Sequence, residues 1–173
     1  VYGLTIPLML KSDGTKFGKT AGGAVWLDPE KTTPFEFYQF WLNQQDGDVV
    51  KFLKYFTFLS HEEIEDLAVE IETQPHLRVA HKRLAEEVTR FVHGQEALDE
   101  AIRITEALFT GEVGSLTVHE IEQGFRNMPQ ASAVREEANL AIWLVDTGIV
   151  KSRREAREFI SNGAITLNGT KVT

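Results

Sequence analysis

The chain has 173 residues, 42% of them hydrophobic, a formal net charge of -8 and no cysteine. That length and apolar share suit one or two globular domains, while the absence of thiols excludes disulfides, thiolate zinc sites and a cysteine nucleophile. No run approaches the roughly 18 apolar residues of a membrane span, and the acidic balance excludes wholesale phosphate neutralisation as a way of binding nucleic acid.

The charge is uneven. Residues 151–173 carry five Lys/Arg against two Glu, a net of +3, which leaves -11 on residues 1–150. Any RNA contact is therefore expected to be local. With no leader or anchor pattern, the chain is expected to be cytoplasmic.

The elements follow in chain order. Val1 to Leu10 mixes β-branched and aromatic residues around Pro7 and predicts a strand at a sheet edge or end. Lys11 to Gly23 holds four glycines, three lysines and the turn signal Asp13-Gly14, which predicts a mobile loop. Thr33-Pro34 sets an N-cap before a proline at the first helical position, with Phe37, Tyr38 and Trp41 on one face of the helix that follows. A second helix is predicted from about Asp48, its stripe formed by Val49, Phe52, Leu53 and Phe56. The capping box Ser60 to Glu63 opens a third, with Ile64, Leu67, Ala68 and Ile71 inward. Beyond Pro75 a fourth is expected from Leu77 to His93, burying Leu77, Ala80, Leu84, Val88 and Phe91 and turning Arg78, Lys82, Arg83 and Arg90 away.

Gly94 ends that helix, a fifth runs from about Gln95 to Thr110 with Gly111 after it, and Thr117 to Glu120 caps a short sixth. Residues 129–137 lack periodicity and are assigned as a linker. A small terminal unit follows, with a helix near Asn139 to Asp146, a second capped at Ser152 to Glu155 and closed by Gly163, a strand from Ala164 to Leu167, and the hairpin signal Asn168-Gly169. The fold class expected is mainly α: a helical bundle preceded by a strand and loop, and followed by a small, truncated α+β unit.

Two lysines three residues apart on a glycine-rich loop, Lys16 and Lys19, can close over a polyphosphate as negative charge grows on it. The loop is not a nucleotide-binding P-loop, because Gly14 and Gly18 enclose three residues rather than four and Thr20 leads into Ala21-Gly22-Gly23 instead of a helix. In the terminal unit, Lys151, Arg153, Arg154 and Arg157 beside a tight hairpin suit recognition of RNA backbone and shape. His119-Glu120 lacks the second histidine of a zinc-protease motif, Gln123 standing in its place, and His61, His76, His81 and His93 form no recognised ligand pattern, so no metal is assigned.

Lys16-Phe17-Gly18-Lys19-Thr20 followed by Gly22-Gly23-Ala24-Val25-Trp26-Leu27-Asp28-Pro29 resembles the tyrosyl form of the Lys-Met-Ser-Lys-Ser loop of class I aminoacyl-tRNA synthetases. It departs from that general motif at Phe17, Gly18 and Thr20, and Thr20 keeps the hydroxyl. Phe35 to Asn43 is similar to the helix after this loop in bacterial tyrosyl-tRNA synthetases. Ser152 to Ile160 and Gly163 to Gly169 resemble the small RNA-binding fold first named for a ribosomal small-subunit protein.

The resemblance implies the C-terminal part of such an enzyme. Residues 1–31 would end an α/β catalytic domain, 32–128 form the helical anticodon-region domain, and 138–173 form part of the RNA-binding domain. The parent would activate tyrosine with Mg-ATP and pass it to tRNA-Tyr. Lys16, Lys19 and Thr20 would be catalytic, Lys16, Gly18 and Lys19 would bind ATP, and Lys151, Ser152, Arg153, Arg154, Arg157 and Asn168 would bind RNA. It further implies a homodimeric parent, and a piece that by itself is monomeric and inactive. A sister enzyme such as the tryptophanyl one, or a stand-alone RNA-binding module, remains an alternative.

Overall fold

A computed structural model describes residues 2–5, 8–17, 19–20, 23–131, 139–167 and 169–172. The chain is mainly helical and divides into two compact units, Val1–Arg103 and Ile104–Thr173.

In the first unit, helices α1 (Pro34–Leu42), α2 (Asp46–Phe56) and α3 (His61–Thr73) pack against α4 (Val79–His93). Each apolar stripe meets this centre. Phe37, Tyr38 and Trp41 of α1, Val49, Phe52 and Leu53 of α2, and Leu84, Ala85 and Val88 of α4 share one core with Leu98 and Ala101 of α5 (Gln95–Thr110). Burying one such large side chain stabilises the fold by roughly 1.5 to 3 kcal/mol. Helix starts are fixed by side chains. Thr33 accepts from the Glu36 N–H while the Glu36 carboxylate accepts from the Thr33 N–H at 2.8 Å, and Ser60 with Glu63 repeats the arrangement on α3. Each such cap is worth about 1 kcal/mol.

Three expectations change. The strand predicted over Val1 to Leu10 is absent among the described residues, where Leu10 makes a single antiparallel bridge to Lys16. A lone extended segment finds no ladder for its backbone groups, so β-propensity has nothing to act on. Second, α2 begins at Asp46, two residues before the predicted start, Asp46 and Asp48 both lying in its first turn, where acidic groups suit the helix dipole. Third, the predicted fourth helix is broken at Arg78, which adopts left-handed φ 53° between a 3-10 turn at Pro75–Leu77 and α4. The guanidinium donates to the Leu42 carbonyl at 2.6 Å, closing the end of α1 and offsetting the cost of that backbone geometry. The buried stripe of α4 is rotated to include His81, Ala85 and Thr89. Leu77 and Phe91 consequently stand exposed, Phe91 stacked edge-on against Phe58 with centroids 5.5 Å apart.

In the second unit, α6 (Val118–Gly124) starts at the Thr117 and Glu120 capping box. A Cβ at Gly124 would lie 2.7 Å from Ile104 Cγ2. The terminal elements are α7 (Leu140–Asp146), α8 (Arg153–Ser161) and the strands β3 (Thr166–Leu167) and β4 (Thr170–Lys171), paired antiparallel. Ala141, Leu144, Val150 and Ala156 form their core with Trp143, Ile160 and Ile165. The capping box predicted at Ser152 is half formed. Ser152 accepts from the Glu155 N–H, but the Glu155 carboxylate takes the Lys151 N–H at 2.8 Å. The predicted linker falls mostly on 132–138, outside the described residues, as does Asn168 of the hairpin.

Two predictions follow from packing and burial. Gly124→Ala forces a methyl onto the stiff, buried Ile104 and should destabilise the protein by about 1 to 3 kcal/mol, read as a lower urea midpoint; an unchanged midpoint would contradict the close approach. His81 is 1% exposed. Burial, then the Arg78 charge, hold its imidazole below the ordinary 6.5 against the pull of Asp46, and burial lowers His93 too. The unfolded chain protonates these rings near pH 6.5 and the folded chain only at lower pH. Stability is thus whole above about pH 6.5 and is lost as pH falls from there toward the folded-state values. Urea midpoints measured from pH 7.5 to 5 should decline, with a shallower decline in the double variant His81→Gln, His93→Gln.

Candidate active-site loop and basic helix

The lysine loop has no core of its own, so its position depends on what holds each end. Residues 9–17 fold into a tight antiparallel turn. Lys11 N–H donates to the Thr15 carbonyl at 2.8 Å, Gly14 N–H to the Lys11 carbonyl at 2.9 Å, and Phe17 N–H to the Met9 carbonyl at 3.2 Å. Asp13 closes the tip by accepting from the Thr15 N–H and hydroxyl at 2.8 and 2.6 Å. These bonds from Thr15 hold the Asp13 carboxyl below its ordinary value, so the tip is anionic at neutral pH.

Phe17 is the apolar anchor. Its ring lies 4.7 Å from Phe52, 5.5 Å from Trp41, 5.6 Å from Phe56 and 5.8 Å from Phe40, centroid to centroid. It is inserted among the aromatics of α1 and α2. Lys16 beside it is exposed, and its ammonium makes no ion pair among the described residues. The loop then forms a short hairpin of β1 (Lys19–Thr20) and β2 (Gly23–Ala24), pairing Lys19 with Ala24 and Thr20 with Gly23. Within the stretch expected as a mobile loop, the structure thus shows these short pairings. Gly18 and the side chains of Lys19 and Thr20 lie outside what the structure describes.

The far end is tied as well. Trp26 N–H donates to the Thr32 hydroxyl at 3.0 Å, the Asp28 carbonyl accepts from Lys31 and Thr32 N–H at 3.1 Å each, and Thr33 caps α1 at once.

A second polar anchor was not found from sequence. Asp48, with its side chain 1% exposed, accepts from Ser12 N–H and Ser12 Oγ at 3.0 Å each and from Lys51 Nζ at 2.6 Å. Its pairing is 36 residues distant in sequence from Ser12. The only available sign was an acidic residue in a first helical turn, which more often faces solvent.

In the terminal unit, Lys151, Ser152, Arg153, Arg154 and Arg157 are all exposed at the start of α8, and the four cations make no ion pair among the described residues. The structure thus presents them together. By contrast Arg78 caps α1, Arg83 reaches Glu87 at 3.1 Å and Arg90 reaches Glu87 at 3.1 Å. Those arginines are structural. His119 Nε2 lies 3.0 Å from Gln123 Nε2.

A hairpin carrying spaced lysines, seated by one aromatic residue on a capped helical bundle, followed by a basic helix turn, defines a class. The chain belongs to the family of class I tRNA synthetases (W and Y), which matches residues 1–110. Residues 120–173 match the Tyrosine--tRNA ligase SYY-like C-terminal domain. Over 173 residues and 100% of its length the chain is 68% identical to Tyrosine--tRNA ligase 2 of Bacillus cereus, covering 41% of that protein. It is 66% identical over 172 residues to Tyrosine--tRNA ligase of Limosilactobacillus reuteri, 99% of this chain and again 41% of the relative. The chain therefore spans about two fifths of the length of these relatives. Among solved structures, a C-terminally truncated mitochondrial tyrosyl-tRNA synthetase of Coccidioides posadasii matches 58% of this chain and 26% of its own at 35% identity, with a TM-score of 0.50.

Phe17→Ala removes a half-buried ring from four aromatic neighbours and should cost about 2 to 3 kcal/mol, read from urea unfolding. A loss under about 0.5 kcal/mol would mean the ring is not a seat.

Proposed function

We propose that this chain is the part of a tyrosine-tRNA ligase that carries its ATP-phosphate loop and tRNA-binding regions. The observation that carries the reading is the lysine hairpin seated through Phe17 on α1 and α2, with Lys16 left exposed and without an ion pair among the described residues. The high identity to tyrosine-tRNA ligases along the whole chain supports the same assignment.

In this reading a tyrosine carboxylate oxygen attacks the α-phosphorus of ATP and pyrophosphate leaves. Lys16 and Lys19, with the hydroxyl of Thr20, stabilise charge that builds on the phosphates, and Gly18 belongs with the two lysines to the ATP-binding stretch. A preorganised charge of this kind is worth about 3 to 4 kcal/mol in the transition state. Magnesium enters as the companion of the phosphates. No group of three potential His, Asp or Glu ligands gathers among the described residues.

The second step moves tyrosine from the adenylate to the terminal ribose of tRNA-Tyr. Lys151, Arg153, Arg154 and Arg157, with Ser152 and Asn168, bind its backbone. The domain limits of 1–31, 32–128 and 138–173 go with this assignment, as do a homodimeric parent and a cytoplasmic setting.

In the full-length enzyme Lys19→Ala should lower the rate of tyrosyl-adenylate formation about a hundredfold or more and leave tyrosine affinity nearly unchanged. Stopped-flow adenylate formation measures the rate. Amino-acid-dependent pyrophosphate exchange across all standard amino acids checks the substrate. Exchange with tryptophan in place of tyrosine, or undiminished activation in the variant, overturns the reading.

A further inference from the structure

Asp48 is a buried carboxylate at the start of α2. It stands in the first turn of its helix, where its oxygens could meet water, yet its side chain is 1% exposed and its recorded partner besides Lys51 is Ser12, in the turn that opens the lysine loop. Oδ2 takes the Ser12 N–H and the Ser12 hydroxyl, and Oδ1 takes Lys51 Nζ. The Ser12 hydroxyl has one proton and Gln45 Oε1 lies 2.9 Å from it as a second acceptor, so the backbone N–H is the constant bond. Lys51 Nζ donates in addition to the Leu10 carbonyl at 2.6 Å.

These contacts fall on one turn. Leu10 is the bridge partner of Lys16, so the carbonyl gripped by Lys51 belongs to the residue directly across from the lysine. Ser12 lies on the same turn, between Leu10 and the Asp13 tip. The two grips, on Leu10 and on Ser12, remove the freedom of the turn to swing about its Phe17 seat. Burial would raise the Asp48 carboxyl, but the bonds from Lys51 and Ser12 outweigh it and hold the group below its ordinary value, so the grip is charged at neutral pH.

We propose that Asp48 is a positioning residue for the activation step: through Ser12 and through Lys51 on Leu10 it fixes the turn that carries Lys16 against α2. The proposal rests on reading this loop as the ATP-phosphate loop. Asp48 touches no reacting atom. It acts by lowering the reorganisation needed to bring Lys16 to the phosphates, an effect that displacements of about an ångström can make a hundredfold.

The test uses the full-length enzyme with Asp48→Ala and the near-isosteric Asp48→Asn, alone and combined with Lys16→Ala, assayed well below each variant's unfolding midpoint. Adenylate formation should slow about tenfold in Asp48→Ala, with the KM for tyrosine unchanged, and about two- to threefold in Ser12→Ala, which keeps the N–H. The combination decides the mechanism. If Asp48 acts through the loop, Asp48→Asn adds almost no further slowing once Lys16 is gone, whereas independent effects multiply.

Multiplied losses, or wild-type activation in a folded Asp48→Ala, overturn the proposal. Should Asp48→Ala not fold, Asp48→Asn and Lys51→Met weaken the same grip, and full-speed activation in both is equally fatal to it. Undiminished activation in Lys16→Ala would instead defeat the assignment of the loop itself, an outcome separate from a slow Lys16→Ala beside a fast Asp48→Asn.

Discussion

The seat of Phe17 among Phe40, Trp41, Phe52 and Phe56 is the contact on which the loop depends. A stretch with four glycines and three lysines has high chain entropy and mutual repulsion, and nothing in it can form a core. One inserted ring supplies burial without demanding a direction, which sets where the loop is. The hydrogen bonds at Asp48 are directional, and they set how it is turned. Removing the bonds at Asp48 leaves a loop that is attached but not aimed, and removing the ring takes away the attachment. The general motif has methionine where this chain has Phe17, and a rigid ring loses less freedom than a thioether chain when it is buried.

The mount works because it is itself stiff. Capping boxes at Thr33 and Ser60 fix the starts of α1 and α3, and Arg78 closes the end of α1 from 36 residues away. Val49, Phe52 and Leu53 are fully buried on the same helix that carries Asp48 and Lys51. A shift of α2 would therefore disturb the core and the loop together. This ties the geometry of the lysine loop to the helical bundle beside it, and preorganisation of this sort reduces what a loop must reorder when it meets charge.

Local signals were legible and long-range ones were not. Helix starts at Thr33, Ser60, Thr117 and Ser152 are side-chain-to-backbone events within three residues, and a sequence displays both partners. The Asp48 to Ser12 and Arg78 to Leu42 pairs join residues 36 apart, and no periodicity announces them. The stripe of α4 was misread for a different reason. His81 and Thr89 are buried polar residues, and a search for apolar faces passes over them, so the predicted face was turned toward Leu77 and Phe91. The strand expected at Val1 to Leu10 had the right composition, and among its described residues it finds no ladder beyond the Leu10 bridge. At the candidate site, Lys16 and the basic turn of α8 were picked out by the family resemblance added to their spacing, whereas the seating of Phe17 required knowing that α1 and α2 lie side by side.

Net charge also has a physical reading once the side chains are placed. The acidic excess on residues 1–150 discourages indiscriminate phosphate binding, while screening confines each local field to roughly 8 Å at physiological salt. Many cations of the first unit are already committed: Lys51 to Asp48, Arg83 and Arg90 to Glu87, Arg78 to a helix end. Exposure does not by itself mark a binding residue, since Lys54 on α2 is exposed too. Lys16 and the group Lys151 to Arg157 differ in that each is carried by a turn or helix start that other bonds hold in place. A cation on a fixed support has less backbone ordering left to lose when an anion arrives, although its side chain still gives up rotamer freedom.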